Sequence, residues 1–162
     1  MLNKELIKKL DMTDSAVWLA TWGGCGLMKK APGTWGSLGG VPLGLLLMMI
    51  GGWPWLLMGS IIVFIVGYRA AKKFEDMSGE HDCGAIVIDE VAGICVTMLM
   101  APPTFAGIAL SFLLFRFFDI LKPWPVSWFD KRPGAFGVMA DDIMAGIYAA
   151  LCLGGLQYAG LI

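Results

Sequence analysis

The sequence has 162 residues, of which 57% are apolar and 15% are charged, and its formal net charge is −1. Soluble domains are typically about 25% charged, so this composition indicates an integral membrane protein. A net charge near zero provides no basic surface for nucleic acid, which excludes that class of partner. The length suits one domain, which we expect to cover residues 1–162.

The chain begins with a segment that mixes charged and apolar residues. Residues 1–22, MLNKELIKKLDMTDSAVWLATW, predict an amphipathic helix on the membrane surface. The next segment, KKAPGTWGS at 29–37, predicts a turn that leads into a membrane helix. Its backbone N–H groups and the hydroxyls of Thr34 and Ser37 are suited to binding a phosphate. The same residues are also typical of an ordinary loop that enters the membrane.

A long uncharged stretch, residues 31–68, exceeds the about 20 residues that one membrane helix needs. Glycine and proline in GGWP, at 51–54, mark a turn in the middle of this stretch. We therefore predict two helices, at 36–50 and 55–72, that form a hairpin.

A second uncharged stretch is interrupted by APPT at 101–104. Adjacent prolines are a strong stop signal for a helix, which predicts helices at 84–100 and 105–121, again as a hairpin. A single kinked helix over 91–115 is the alternative. The last helix is predicted at 142–161.

The charge distribution favours the hairpin arrangement. With five short helices, every Lys and Arg falls on or near one face of the membrane, whereas a kinked helix would send the last four basic residues to the other side. Because cytoplasmic loops are rich in Lys and Arg, this face is expected to be cytoplasmic and to carry the active site. The predicted fold is an all-α, polytopic membrane bundle with short helices and tight Gly/Pro turns.

Acidic residues occur where apolar residues are expected. Asp89 and Glu90 are adjacent in the apolar run AIVIDEVAG, and Asp141 and Asp142 are adjacent in GVMADDIMAG. An ion pair with Arg116 or the capping of a helix N-terminus is the structural alternative. Carboxylate oxygens clustered at one membrane face instead suit Mg²⁺, which bridges to substrate phosphate. The acids assigned to this face are Asp82, Asp89, Glu90, Asp119, Asp141 and Asp142.

Arg116, Asp119 and Lys122 recur every third residue and therefore share one side of a helix end. The two cations are predicted to lie beside the acids and to bind phosphate. The chain lacks the residues that other hydrolytic mechanisms need. It has only one His, no Cys followed six positions later by Arg, no GxSxG and no Walker loop. The four cysteines are expected to be reduced packing residues.

Four segments together resemble the phosphatidylglycerophosphatase A family: APGTWGSL at 31–38, DCGAIVIDEVAG at 82–93, FRFFDILKPWPV at 115–126 and GVMADDIMAG at 137–146. The resemblance implies a Mg²⁺-dependent enzyme of the bacterial inner membrane, which hydrolyses the lipid phosphatidylglycerophosphate to phosphatidylglycerol and phosphate. With the motifs carried over, we expect Mg²⁺ ligands among Asp89, Glu90, Asp141 and Asp142. Catalytic roles are expected for Asp82, Asp89, Glu90 and Asp119, and substrate binding for Thr34, Ser37, Arg116 and Lys122.

In the expected mechanism, water attacks phosphorus and a carboxylate such as Asp82 takes its proton. A mechanism in which an Asp is the nucleophile and forms an acyl-phosphate is the alternative. Two functions of other classes are a transporter that uses the carboxylates as a cation pathway and a structural lipid-binding subunit without chemistry. Acids close to one face, accompanied by basic residues, favour a phosphate substrate over a transported cation.

Overall fold

A computed structural model describes residues 10–79 and 83–162, and every regular element within them is helical. The all-α prediction is therefore confirmed for this part of the chain. His81, Asp82 and the first nine residues of the predicted amphipathic segment lie outside the described residues. The elements are α1 (Ser15–Ala20), a 3₁₀ turn (Cys25–Leu27), α2 (Pro32–Gly51), α3 (Trp53–Ser78), α4 (Ile88–Met98), α5 (Phe105–Leu121), α6 (Val126–Asp130) and α7 (Ala135–Tyr158).

Helices occupy all five segments predicted to cross the membrane, but their ends differ from the prediction. The turn between α2 and α3 falls at Gly52, whose φ of +70° favours glycine. Helix α5 has the predicted bounds, and α4 is shorter than predicted at both ends. Asp89 and Glu90 consequently lie in the first turn of α4.

The predicted start of the last helix, at 142, was wrong. Helix α7 begins at Ala135, so Asp141 and Asp142 lie about two turns inside it and do not cap its N-terminus. The physical reason is a distant cap: the carboxylate of Glu75, in α3, accepts a hydrogen bond from the Ala135 N–H at 3.1 Å. A cap from another helix leaves no local sequence signal.

Helix α2 presents glycine to α4 on successive turns. Gly36, Gly40 and Gly44 are buried, and a Cβ added at each would lie 2.6 Å from a side-chain atom of α4 or of the residue before it. The four-residue spacing puts these glycines on one helix face. Small residues at such positions let helix backbones approach closely, as is usual within membranes.

Helices α4 and α7 cross closely at two further glycines. A Cβ added at Gly146 would lie 2.5 Å from the carbonyl oxygen of Gly93, and one at Gly93 would lie 2.7 Å from that of Asp142. The buried hydroxyl of Thr97 lies 3.0 Å from the Gly93 carbonyl and 3.3 Å from the Gly146 carbonyl. The two backbones therefore touch without intervening side chains.

Within the described residues, three helices are long and apolar enough to cross a membrane: α2, α3 and α7, with mean hydropathies of 1.4, 1.5 and 1.6. Large apolar side chains also remain exposed on the outside of the bundle, including Met49, Ile61 and Leu151. Exposed apolar surface of this extent marks contact with lipid. The chain is thus a helical membrane protein, whereas α4 has only 11 residues and is shorter than a bilayer crossing.

The close crossing predicts opposite effects for two glycines of α7. Gly146→Ala should destabilise the fold by about 1–3 kcal/mol, because the added methyl group meets backbone and the helices must separate. Gly154→Ala is the matched control, since nothing lies within 4 Å of its added Cβ and alanine favours a helix by about 0.5–1 kcal/mol. Thermal unfolding of the purified protein in detergent measures both, and equal melting temperatures would contradict the packing described.

Candidate active site

A cavity of about 360 Å³ lies at the end of the bundle where α2 and α4 begin and α5 ends. Its polar wall is made by the first turns of α2 and α4, the last turns of α5, the segment around α6, and the part of α7 that carries two adjacent acids. The charged residues that line it are Asp89, Glu90, Arg116, Asp119, Lys122, Asp130, Arg132, Asp141 and Asp142.

Three carboxylates from two helices meet in this cavity. One oxygen each of Asp89, Glu90 and Asp142 lies within 4.8 Å of the others, and Asp89 and Asp142 are buried. Asp89 precedes Gly93 by four residues and Asp142 precedes Gly146 by four, so each acid stands one helical turn from the close crossing. The glycine contact therefore brings the two aspartates together.

This group of carboxylates fits a divalent cation. The Oε2 atom of Glu90 is buried and has no hydrogen-bond partner among the described residues. The cavity wall carries six carboxylates and three cations, a formal balance of −3. Carboxylates crowded away from water repel one another unless protons or a cation compensate them. Oxygen donors of this type are the ligands that hard divalent cations prefer.

Arg116 links the cluster formed by Asp89, Glu90 and Asp142 to α2 and α5. Its Nη1 atom donates to Asp119 at 2.5 Å and lies 3.8 Å from Glu90 Oε1. Nη1 also lies 3.5 Å from the Ser37 hydroxyl, which donates to the Gly33 carbonyl at 2.8 Å. Ser37 thus contacts the guanidinium, and the buried Nε of Arg116 has no partner among the described residues.

Lys122 forms ion pairs with two acidic residues of the cavity wall. Its ammonium group donates to Asp141 at 2.7 Å and also to Asp130. Burial alone would lower the pKa of Lys122, but hydrogen bonds to the two carboxylates and their negative charges outweigh burial and raise it above its ordinary value. Lys122 therefore stays protonated, and Asp141 faces this cation.

The structure brings most of the predicted site residues together. Seven of the ten line the cavity, and Ser37 reaches it indirectly through Arg116. Thr34 lies in the first turn of α2 but is not part of the described cavity wall. Asp82 lies outside the described residues. The seven are Asp89, Glu90, Arg116, Asp119, Lys122, Asp141 and Asp142.

Three residues at the cavity wall or at the start of α7 were not predicted. Asp130 and Arg132 line the cavity, but in sequence they belong to a short charged run, FDKRP, that looks like a solvated loop. Glu75 is buried and caps α7, yet in sequence it belongs to the charged end of a helix. Their roles arise from contacts between segments distant in the chain.

The family profile of phosphatidylglycerophosphatase A matches residues 18–157. The chain belongs to this family. It is 40% identical to phosphatidylglycerophosphatase A of Haemophilus influenzae over 98% of each chain. It is 39% identical to the Escherichia coli protein of the same name, over 91% of this chain and 87% of that one. The resemblance seen in the four motifs and the expectation of a phosphatase are confirmed.

A third relative has a different name. A Bacteroides thetaiotaomicron protein, provisionally named a phosphatidylinositol-3-phosphatase, is 32% identical over 85% of this chain and 90% of its own length. No solved structure matches the chain.

A single methyl group should disturb the site without unfolding the helices. A Cβ added at Gly33 would collide with the carboxylate of Glu90 and lie 3.1 Å from Arg116 Nη1. Gly33→Ala should fold, because a flexible side chain can move aside, but it should lose phosphatase activity by at least about 10-fold, as when a metal ligand is misplaced.

The measurement is phosphate release together with the melting temperature. Gly155→Ala is the control, because nothing lies within 4 Å of its added Cβ. A Gly33→Ala enzyme with the rate of the unmodified protein would show that the position of Glu90 is unimportant.

Proposed function

We propose that this protein is a Mg²⁺-dependent phosphatase of the bacterial inner membrane, which hydrolyses phosphatidylglycerophosphate to phosphatidylglycerol and phosphate. The observation that carries the proposal is the meeting of Asp89, Glu90 and Asp142 in a cavity whose wall also includes three basic side chains. Both curated relatives at about 40% identity are named phosphatidylglycerophosphatase A, and the substrate is inferred from them.

The proposed orientation puts the cavity at the cytoplasmic face. The described Lys and Arg residues belong to segments at the cavity end, whereas the turns at 51–53 and 99–104 have none. Such asymmetry favours a cytoplasmic location for the basic end. Exposed aromatic residues support a crossing between two interfaces, with Trp53, Phe105 and Tyr158 at helix ends away from the cavity and Trp124 and Trp128 near it.

In the proposed mechanism, Asp89, Glu90 and Asp142 would hold the Mg²⁺. When bound, the ion supplies Lewis-acid stabilisation of phosphoryl oxygens and lowers the pKa of water. Asp141 and Asp130 fix Lys122 at the cavity wall, and Asp119 and Ser37 orient Arg116.

The chain's own cations then act on the substrate. Arg116 and Lys122 offset the negative charge that the transferred phosphoryl group carries, which favours the transition state. As water adds to phosphorus, the bond from phosphorus to the phosphatidylglycerol oxygen breaks. Asp82 remains the proposed base for the proton of the attacking water, and this proton then passes to the leaving oxygen. Thr34 has no role in this scheme because it does not line the described cavity.

The alternatives fit the site less well. A cation pathway needs acids that open to both faces, whereas here the acids share one end of the bundle with three basic residues. A second lipid phosphate monoester is a specific alternative substrate, because the Bacteroides relative is named for phosphatidylinositol 3-phosphate. Comparing both lipids as substrates decides between them.

Removal of the metal should abolish activity, and loss of one ligand should lower it. EDTA should stop phosphate release from phosphatidylglycerophosphate in mixed micelles, and added Mg²⁺ should restore it. Asp142→Asn keeps the shape of the side chain but removes its charge, so the rate should fall by at least about 10-fold.

Asp76→Asn is the matched control, since Asp76 is an exposed acid of α3 outside the cavity wall. Full turnover in chelator would exclude the metal mechanism. The absence of phosphate release from any lipid by the Mg²⁺-loaded protein would favour a structural lipid-binding subunit.

A further inference from the structure

We propose that Arg132 binds the phosphodiester of the lipid substrate and that Trp128 is the positioning residue that holds its guanidinium. This inference rests on the proposed function and adds a second anion-binding position to the same cavity. Phosphatidylglycerophosphate carries two phosphates: a terminal monoester, which is hydrolysed, and a diester, which joins the glycerol to the lipid. A selective enzyme needs a group for each.

The three cations of the cavity differ in their partners. Arg116 pairs with Asp119 at 2.5 Å and faces Glu90 at 3.8 Å, and Lys122 pairs with two aspartates. Arg132 also lines the cavity, but no carboxylate of a described residue lies within 4.0 Å of its guanidinium nitrogens. It is therefore the cation of the described wall whose charge is not already paired with an acid.

An aromatic ring holds the Arg132 side chain. The Cζ atom of its guanidinium lies 3.9 Å from the centre of the Trp128 ring. A cation over a ring face is attracted by the π electrons, and its planar set of N–H donors remains available for two parallel hydrogen bonds to phosphate oxygens. The site is thus preorganised for an anion.

The segment that carries Arg132 has features of a membrane interface. Arg132 follows α6, in the segment between the end of α5 and the start of α7. The aromatic residues of this segment are exposed, Trp124 at 77% and Trp128 at 47%. Exposed tryptophans at the ends of membrane helices lie at the level of lipid head groups. Arg132 both lines the cavity and lies against one of these tryptophans, so we expect it at the level of the head groups.

The plainer interpretation is an interfacial anchor, in which Arg132 and Trp128 contact bulk lipid without selecting a substrate. The two roles differ in one measurable property. An anchor changes stability or membrane affinity and leaves recognition of the reaction products unchanged. A diester-binding residue changes the affinity for one product and leaves the other unaffected.

The test uses the two reaction products as inhibitors of phosphate release by the full-length, Mg²⁺-loaded protein. Phosphatidylglycerol retains the diester, and inorganic phosphate retains only the group removed. Arg132→Gln should raise the inhibition constant of phosphatidylglycerol by about 10-fold or more, the loss expected for one charge-assisted contact. The inhibition constant of phosphate should change by less than about 2-fold, within the scatter expected of exposed substitutions.

Two further variants separate the roles. Lys131→Gln removes a neighbouring exposed cation that is not part of the described cavity wall, and it should leave both constants unchanged. Trp128→Ala should weaken phosphatidylglycerol inhibition in the same direction as Arg132→Gln, whereas Trp128→Phe should preserve it because a ring remains. Equal changes for both inhibitors, or the same change in Lys131→Gln, would overturn the proposal.

If the proposed function is wrong, a binding experiment still tests the role of Arg132. If the unmodified protein releases no phosphate from phosphatidylglycerophosphate, direct binding of phosphatidylglycerol in detergent micelles, followed by tryptophan fluorescence, still tests Arg132. Weaker binding in Arg132→Gln than in Lys131→Gln supports the diester site. No binding by the unmodified protein, or equal binding by the two variants, overturns it.

Discussion

The contact between Gly93 and Gly146 is the constraint on which the site depends. At this crossing the backbones of α4 and α7 touch, and any side chain larger than hydrogen would separate them. Asp89 and Asp142 stand one turn away on the same two helices, so the distance between their carboxylates follows from the distance between the backbones. Thr97 links both helices through the two glycine carbonyls. Packing in the apolar core therefore determines the geometry of a polar site at its end.

The same arrangement creates an electrostatic cost. Six carboxylates share a cavity wall with three cations, and burial makes the charged forms unfavourable. Two features offset part of this cost. Asp89 and Glu90 lie in the first turn of α4, where the positive end of the helix dipole favours anions. Lys122 and Arg116 each contact two acids. The remaining negative charge is what a divalent cation would neutralise, and the three clustered carboxylates have the oxygen donors to hold one.

Local signals in the sequence were sufficient for much of the fold. The start of α5 was predicted correctly because Pro102 and Pro103 stop the preceding helix and Thr104 caps the next, accepting from the Gly107 N–H at 3.0 Å. The spacing of Arg116 and Asp119 likewise predicted that they share one side of the end of α5, where the structure shows them as an ion pair. The start of α7 was missed because its cap, Glu75, lies 60 residues earlier. The hydroxyl of Ser37 contacts Gly33 and Arg116, and its role in phosphate binding stays a prediction. The position of Arg132 at the cavity depends on the path of the chain around α6, which the local sequence pattern does not reveal.

Direct titration with Mn²⁺, as a paramagnetic substitute for Mg²⁺, tests the central claim that Asp89, Glu90 and Asp142 together form a divalent-cation site. The free ion is followed by electron paramagnetic resonance in the purified full-length protein. The account predicts saturable binding that Mg²⁺ displaces, and its loss in a variant with Asp89→Asn, Glu90→Gln and Asp142→Asn whose helical circular dichroism is unchanged. Saturable, Mg²⁺-displaceable binding that persists in that variant would contradict it.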